Sequence, residues 1–450
     1  MNLDAYVLVI AASLIVILSY FFNVISKKTN VPSVLLLIVL GILIKQGGKY
    51  IGLDIPEMNT LLEALGAIGL ILIVLEAALD LELTREKWPL IWKSFTVAFA
   101  SLIISTGAIA LVFYNFVFEG EGAALSSVIY AIPLSVMSSA IIIPSVGGLR
   151  KDRKEFMVYE GTFSDILGIM FFYFVTGNQD ETAGNIILNV SINIIATLLL
   201  SFVACYIIIF IFQRIKSQVK LFLIIAILTL LYAVGKKIHL SSLILILIFG
   251  LMLNNYKLFF RGRLRKFIDD GVLIRILQDF HLLTLESAFV IRTFFFVIFG
   301  VTITLASIFN WEVVFYSMVF TTMLYVIRLV FLLIFQKENV FPLLYIAPRG
   351  LITILLFFGI PAELATDEFE PGILLFMIIT TNIIMTISLI QTGLEIKPVL
   401  TDHQPSSSKK QNGKQNGDNS GKLEKGGNGD KKPGSQSEPG NQNGSNQQQS

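Results

Sequence analysis

Charge is scarce in this chain. Asp, Glu, Lys and Arg make up 15% of its 450 residues, against about a quarter in a soluble domain, and that excludes a water-soluble globular fold. Cysteine is scarcer still. Cys205 stands alone, which rules out an intramolecular disulfide and leaves redox compartment unreadable. The three histidines, His239, His281 and His403, fall at loop or interfacial positions, so no histidine is expected to carry protons. A basic segment before the first apolar run and a small-residue cleavage site after it are both missing, so Asp4 to Ile25 reads as a retained first helix. The net charge of +2 sits in loops, a few buried positions and the C-terminal tail. No nucleic-acid partner is expected from it, and no cofactor.

What the chain has instead is apolar length. Residues of hydrophobic type make up 54% and the mean hydropathy is +0.75, which implies a bilayer environment. Runs of about 20 apolar residues, the length that crosses hydrocarbon, fall near 5–26, 31–50, 61–83, 92–116, 126–148, 156–176, 185–213, 218–235, 240–254, 286–306, 311–335, 343–361 and 373–395. An all-α polytopic membrane protein of about 13 transmembrane helices is expected. Connections after odd-numbered spans are basic: Lys27-Lys28, Arg85 and Lys87, Arg150 to Lys154, Arg214, Lys216 and Lys220, then Arg261 to Lys266. Those after even-numbered spans are acidic around Glu119, Asp180 and Glu363 to Glu370, with Lys236-Lys237 dissenting. Because cytoplasmic loops concentrate Lys and Arg, the N-terminus is expected outside and the C-terminal tail in the cytoplasm.

An odd span count with this alternation inverts the first six spans relative to the last six. Inverted repeats characterise secondary transporters, whose sites form where broken helices meet near the midplane. The fifth span has Pro133 and Pro144 on either side of Ser135 to Ser139, and its repeat mate holds Pro348-Arg349-Gly350. Both are expected to be interrupted and to cross. Residues 257–285 carry a basic cluster and read as an amphipathic segment on the inner leaflet. The transmembrane domain is placed at residues 1–396. Residues 397–450, rich in Gly, Asn, Gln, Ser and Lys, read as a disordered cytoplasmic tail, since such a composition buries too little to offset ordering entropy.

Against this apolar background the charges inside spans stand out. Glu160 and Asp165 lie in the sixth span, Glu76 in the third, Arg292 in the tenth and Arg349 in the twelfth. An intramembrane ionisable group is a functional candidate by default. At a rise of about 1.5 Å per residue, Glu76, Glu160, Arg292 and Arg349 share the inner third, where they are expected to neutralise one another, Glu160 with Arg349. Asp165 lies deeper, near the midplane, without an assigned counter-charge. Five residues separate it from Glu160, about 140° around the helix, so the two carboxylates are expected to do different work. Asp165, Thr162, Ser164, Ser138 and Ser139, with carbonyls freed by unwinding, offer the hard oxygens that a dehydrated Na+ or K+ prefers. A carboxylate taken out of water holds a proton or a cation by turns, which is the chemistry of exchange.

These residues resemble the monovalent cation:proton antiporters, the sodium/hydrogen exchanger superfamily, over roughly residues 10 to 395, with the type 1 branch closest. Glu160-Gly161-Thr162-Phe163-Ser164-Asp165 is similar to the family's Glu-x-x-x-Asn-Asp element, with Asp165 at the ion-binding aspartate. Leu75-Glu76-Ala77-Ala78-Leu79 resembles its Phe-Glu-Gly-Gly-Leu segment, Pro348-Arg349-Gly350 its Arg-Gly element, and Ile291 to Phe296 the aromatic run on its tenth helix. Ser164 replaces the family's Asn. Ser138-Ser139-Ala140 replaces Thr-Asp-Pro and stands closer to the Ser-Ser-Thr of the second branch, which bears on ion choice. The resemblance implies a multi-pass cell-membrane antiporter, not an enzyme, that exchanges Na+ for H+ by alternating access in pH and cation homeostasis. It also implies a homodimer, and an arginine at position 349 paired with Glu160.

Three other readings compete. A K+/H+ antiporter or potassium efflux system shares the site chemistry and is favoured by Ser138-Ser139. A membrane sensor without transport has the fold and no flux. An intramembrane aspartyl protease needs a second catalytic aspartate on a neighbouring helix, which Asp165 lacks.

Overall fold

In hydrocarbon a backbone can satisfy its N–H and C=O groups only internally, and the apolar runs accordingly form helices. A computed structural model of the chain describes residues 5–29, 31–51, 59–120, 122–177, 197–211, 220–237, 242–260, 269–303, 310–336, 340–366 and 368–391. The described residues belong to the first of two compact units, Met1–Val399 and Leu400–Ser450. The expected tail, His239, His403 and the Arg261 to Lys266 cluster lie outside the described residues.

The helices are α1 (Ala5–Thr29), α2 (Ser33–Ile51), α3 (Asn59–Asp80), α4 (Trp88–Phe116), α5 (Ala123–Ser135), α6 (Ser139–Ser145) and α7 (Lys151–Gly177). They continue as α8 (Thr197–Ile211), α9 (Lys220–Lys237), α10 (Ser242–Asn254), α11 (Tyr256–Phe259), α12 (Asp270–Thr302), α13 (Trp311–Gln336), α14 (Leu351–Phe358) and α15 (Gly372–Gln391). Among the described residues there is no strand, and eight helical stretches are long and apolar enough to cross a membrane, α5 and α6 counting as one. The chain is a polytopic, all-α membrane protein. Its outer surface is apolar where a soluble protein is charged: Val9, Ile10, Leu14, Leu111, Phe315 and Leu333 are all exposed.

One element differs from the sequence expectation, and another, the twelfth span, is interrupted as expected. Residues 270–285 do not form a separate surface segment, because α12 is one continuous helix of 33 residues, about 50 Å long. Asp269 caps it by accepting from Gly271 N and Val272 N, and no proline interrupts it, so nothing stops the helix between its amphipathic start and its apolar span. The twelfth expected span is only half helical. It opens with a 3-10 turn at Leu343–Tyr345, runs without helix to Gly350 and then enters the eight-residue α14.

The helices pack in two groups. In one, α12 lies against α2 and α3, α10 against α3 and α9, and α1 against α2. The α2 and α12 backbones touch, since a Cβ on Gly41 would lie 2.1 Å from Val297 O and one on Gly300 2.3 Å from Ile38 O. Small residues at a helix crossing permit that approach. Lys45 reaches from α2 to donate to Thr302 O and Ile303 O at 3.1 and 2.9 Å, where the C-terminal carbonyls of α12 lack intrahelical partners. In the other group, α4 packs on α5, α7 and α13, α13 on α15, and α5, α6 and α14 on α7. Contacts of α3 with α7 and α14 join the groups.

The connection between α3 and α4 is tied to both. Leu81 O accepts from Asn254 and Asn255 of the α10 end at 2.9 and 2.8 Å, while Tyr159 of α7 donates to Glu82 O at 2.7 Å. Lys87 sits between Glu82 and Glu155 at 2.9 and 3.4 Å.

Candidate ion-binding site

Two interrupted segments meet in the second group. The first break is Val136 to Ser138, between α5 and α6. Pro133 lies inside α5 and Pro144 inside α6, so neither proline is at the break itself. The second runs from Ile346 to Gly350, ahead of α14. Ser138 N donates to Pro348 O at 2.9 Å, which makes one backbone the partner of the other. Gly350 is required by this approach: a Cβ there would lie 2.5 Å from Ile141 Cδ1, 3.0 Å from Ser138 Oγ and 3.2 Å from Ser138 Cβ.

Unwinding leaves free carbonyls at the end of α5 and free N–H groups at the start of α6, and charges of opposite sign meet them. Arg349 donates to Leu134 O at 3.1 Å, to Ser135 O at 3.2 Å and to Ala347 O at 2.7 Å. Asp165 accepts from Ser139 N at 3.1 Å and from the Ser139 hydroxyl. A cation at a helix C-terminus and an anion at a helix N-terminus each match the backbone partial charge they face. Both side chains are buried, Asp165 at 2% exposure and Arg349 at 3%, so in each case the backbone replaces water as the solvating group.

Asp165 is only half satisfied. Its second carboxylate oxygen, Oδ1, has no protein partner, and neither do the buried hydroxyls of Thr162 and Ser138. Thr162 is one turn before Asp165 on α7 and so shares its face, while Ser138 precedes the serine that binds Asp165. A buried carboxylate oxygen and two buried hydroxyl oxygens, all without a protein partner, are hard donors of the type that a small dehydrated cation takes as substrate. Ser139 instead orients Asp165. Ser164 serves the break, its hydroxyl accepting from Met137 N at 2.9 Å.

Glu160 corrects the sequence reading. Its partner is Arg328 of α13, not Arg349: Arg328 Nη1 lies 2.5 Å from Oε1 and Nη2 3.0 Å from Oε2, a bidentate pair. Arg328 also donates to Leu343 O and Leu344 O, which ties the ion pair to the approach into the second break. Depth along the chain puts Arg349 level with Glu160, but Arg349 is directed to the α5 carbonyls and Ala347 O. The signal for Arg328 was present, since it is the single basic residue of α13 and the single charge beyond its first turn, and a charge inside a span requires a partner. Glu76 of α3 and Arg292 of α12 lie 3.3 Å apart, with Glu76 Oε2 unpartnered. At the end of α3, Asp80 lies 3.0 Å from His281 Nε2.

This arrangement, with breaks crossing beside a buried aspartate, can be set against known proteins. The family profile described as sodium/hydrogen exchanger, transmembrane, matches residues 10–401. The chain belongs to the sodium/hydrogen exchanger family. It is therefore a multi-pass membrane transporter of the cation/proton antiport type rather than an enzyme. Among solved structures, the exchanger fold recurs in the sodium proton antiporter MjNhaP1 from Methanocaldococcus jannaschii at pH 8, with 22% identity over 87% of this chain and 99% of that one, at a TM-score of 0.63. A map of the same antiporter from electron microscopy agrees at 20% identity over 90% of this chain and 100% of that one, also at 0.63. At these identities the likeness speaks for the fold. No curated protein matches the sequence.

Proposed function

We propose that this exchanger carries Na+ in one direction and H+ in the other, one for one, by alternating access, with Asp165 as the shared carrier. The observation that supports it is the half-satisfied carboxylate, one oxygen held by Ser139 and the other unpartnered, with Thr162 one turn away on the same helix and Ser138 next to Ser139 carrying equally unpartnered hydroxyls. Na+ bound to Asp165 Oδ1 with those hydroxyls, or a proton on the same oxygen, are alternative occupants of one site. The substrates thus compete, and competition for one site is what couples them. The basic connections are assigned to the cytoplasm of a cell membrane, the N-terminus outside, and the protein is assigned as a homodimer in which the group bearing the site moves against the other.

Charge accounting supports one-for-one exchange. Glu160 cancels Arg328 and Glu76 cancels Arg292, which leaves Asp165 and Arg349. The empty site sums to zero, and the site loaded with either Na+ or H+ sums to +1. Both loaded forms carry the same charge, so voltage has little to act on, although each uncompensated charge moved is worth about 2.3 kcal/mol per 100 mV.

The test is dequenching of a pH-sensitive dye in proteoliposomes on addition of Na+, Li+ or K+. Sodium should give the fastest recovery. Response to K+ alone favours the potassium reading, for which Ser138-Ser139 speaks, and no response to any cation favours a sensor. In a separate arm, a potassium diffusion potential imposed with valinomycin at fixed Na+ and pH gradients should leave the initial rate unchanged. A several-fold change means that a second carboxylate, Glu76 first, also titrates.

A further inference from the structure

A second polar space lies in the same group of helices. It is a cavity of ≈ 20 Å³, lined among others by Ser101 of α4, Ser164 of α7, Tyr325 and Arg328 of α13, and Arg349. Asp165 does not line it, and neither does any other carboxylate. A water needs about 10 to 15 Å³ by this measure, so the cavity has room for one small occupant.

The donors around it outnumber their acceptors. Ser101 Oγ and Tyr325 Oη are enclosed and have no protein partner. Ser164 already accepts from Met137 N, so its proton remains to be given. Arg328 is fully used, its N–H groups going to Glu160, to the carbonyls of Leu343 and Leu344 and to the sulfurs of Met137 and Met157. Arg349 is not. Of the five N–H donors of a guanidinium, Arg349 places one each on Leu134 O, Ser135 O and Ala347 O, and among the described residues no carboxylate pairs with it. The lining residues therefore carry three hydroxyl protons, spare guanidinium donors and one cation without a carboxylate partner. Water could satisfy the hydroxyls and the spare donors but would bring no charge to a cation that carbonyl dipoles match only in part, at a depth where isolated charges cost several kcal/mol. A small anion satisfies both.

We propose that this cavity binds a monovalent anion of the halide class as a fixed counter-ion to Arg349. The site follows from the geometry alone; its consequence rests on the exchange reading above. Without the anion, the group of helices bearing Asp165 is neutral when empty and +1 when loaded, which favours passage of the empty site and hence leak. With the anion, the loaded forms are neutral and the empty form is −1. The charge penalty then falls on the empty carrier, which is the condition for obligatory exchange.

The full-length protein in detergent is heated in chloride, bromide or gluconate at constant ionic strength and sodium. Chloride and bromide should raise the unfolding midpoint in a saturable way, as expected for a ligand of the native state, and gluconate should not. Tyr325→Phe, and separately Ser101→Ala, should weaken the halide response several-fold while remaining folded in gluconate. A bromide-soaked crystal should show anomalous density within reach of Arg349 and Tyr325. Equal midpoints in all three salts, or only water in that cavity, would overturn the proposal. In proteoliposomes, replacing halide by gluconate on both sides should raise sodium efflux uncoupled from protons several-fold. A saturable halide response in a protein without flux leaves the anion site standing and removes the exchange reading. Normal exchange with no halide response does the reverse.

Discussion

Glu160 and Asp165 lie on one helix, five residues apart, both nearly devoid of exposure, and their surroundings are opposite in kind. Both oxygens of Glu160 bond to a guanidinium that is itself anchored to two carbonyls. Asp165 has one oxygen bonded to a serine and one unpartnered. A saturated buried carboxylate holds helices in place, because any change strands a charge. A half-saturated one can accept a proton or a cation without breaking a bond. Burial alone, then, does not single out Asp165; an unpartnered oxygen with no cation paired to the carboxylate does, since Glu76 also has a free oxygen but is paired with Arg292.

That contrast can be broken from either side. Asp165→Asn keeps an oxygen for Ser139 and removes the charge, so the protein should remain folded while cation-dependent dequenching falls to the level of empty vesicles; flux near wild type would end the case for Asp165. Glu160→Gln or Arg328→Met alone should cost about 3 to 5 kcal/mol, since each leaves a buried partner uncompensated. The double change should cost clearly less than the sum. Glu160→Gln combined with Arg349→Met should instead show little coupling in thermal melts, and strong coupling there would restore the pairing expected from depth.

Smaller changes sharpen the comparison. Gly350→Ala forces Ile141 and Ser138 to shift and should cost about 1 to 2 kcal/mol through overpacking, with a lower exchange rate because Ser138 moves. Wild-type melting and rate would show that the crossing yields freely. Thr162→Val is expected to act in opposite directions on fold and function. Removing an unpartnered buried hydroxyl should leave stability equal or slightly higher, whereas loss of a ligand worth about 1 kcal/mol should raise the KM for sodium about fivefold. A destabilised variant with unchanged KM would mean that the hydroxyl has a structural partner.

Much of this was legible from residue type and position. Long apolar runs led to helices, and Ser135 to Ser139 and Pro348 to Gly350 marked the two regions that cross. Depth and the lack of an assigned counter-charge singled out Asp165 as the candidate carrier. Less legible was the extent of α12: the basic and acidic residues near 257–270 suggested an interfacial segment, but a helix ends where capping or a proline ends it, not where polarity changes. Arg328 was readable and was passed over, because charges were assigned by depth to partners already in view.

What the sequence by itself determined is one-dimensional: which segments are apolar enough for lipid, how deep each charge lies along its helix, and which residues supply hard oxygens. Those follow from composition and a fixed rise per residue. Only the tertiary structure decided direction and partnership. It sent Arg349 to the carbonyls of α5 rather than to Glu160, brought Arg328 across from α13, and turned Ser164 toward Met137 N instead of toward the Asp165 oxygens. Partnership depends on how helices are rotated and packed against one another, and that is set by close contacts such as Gly350 on Ser138 rather than by any spacing along the chain.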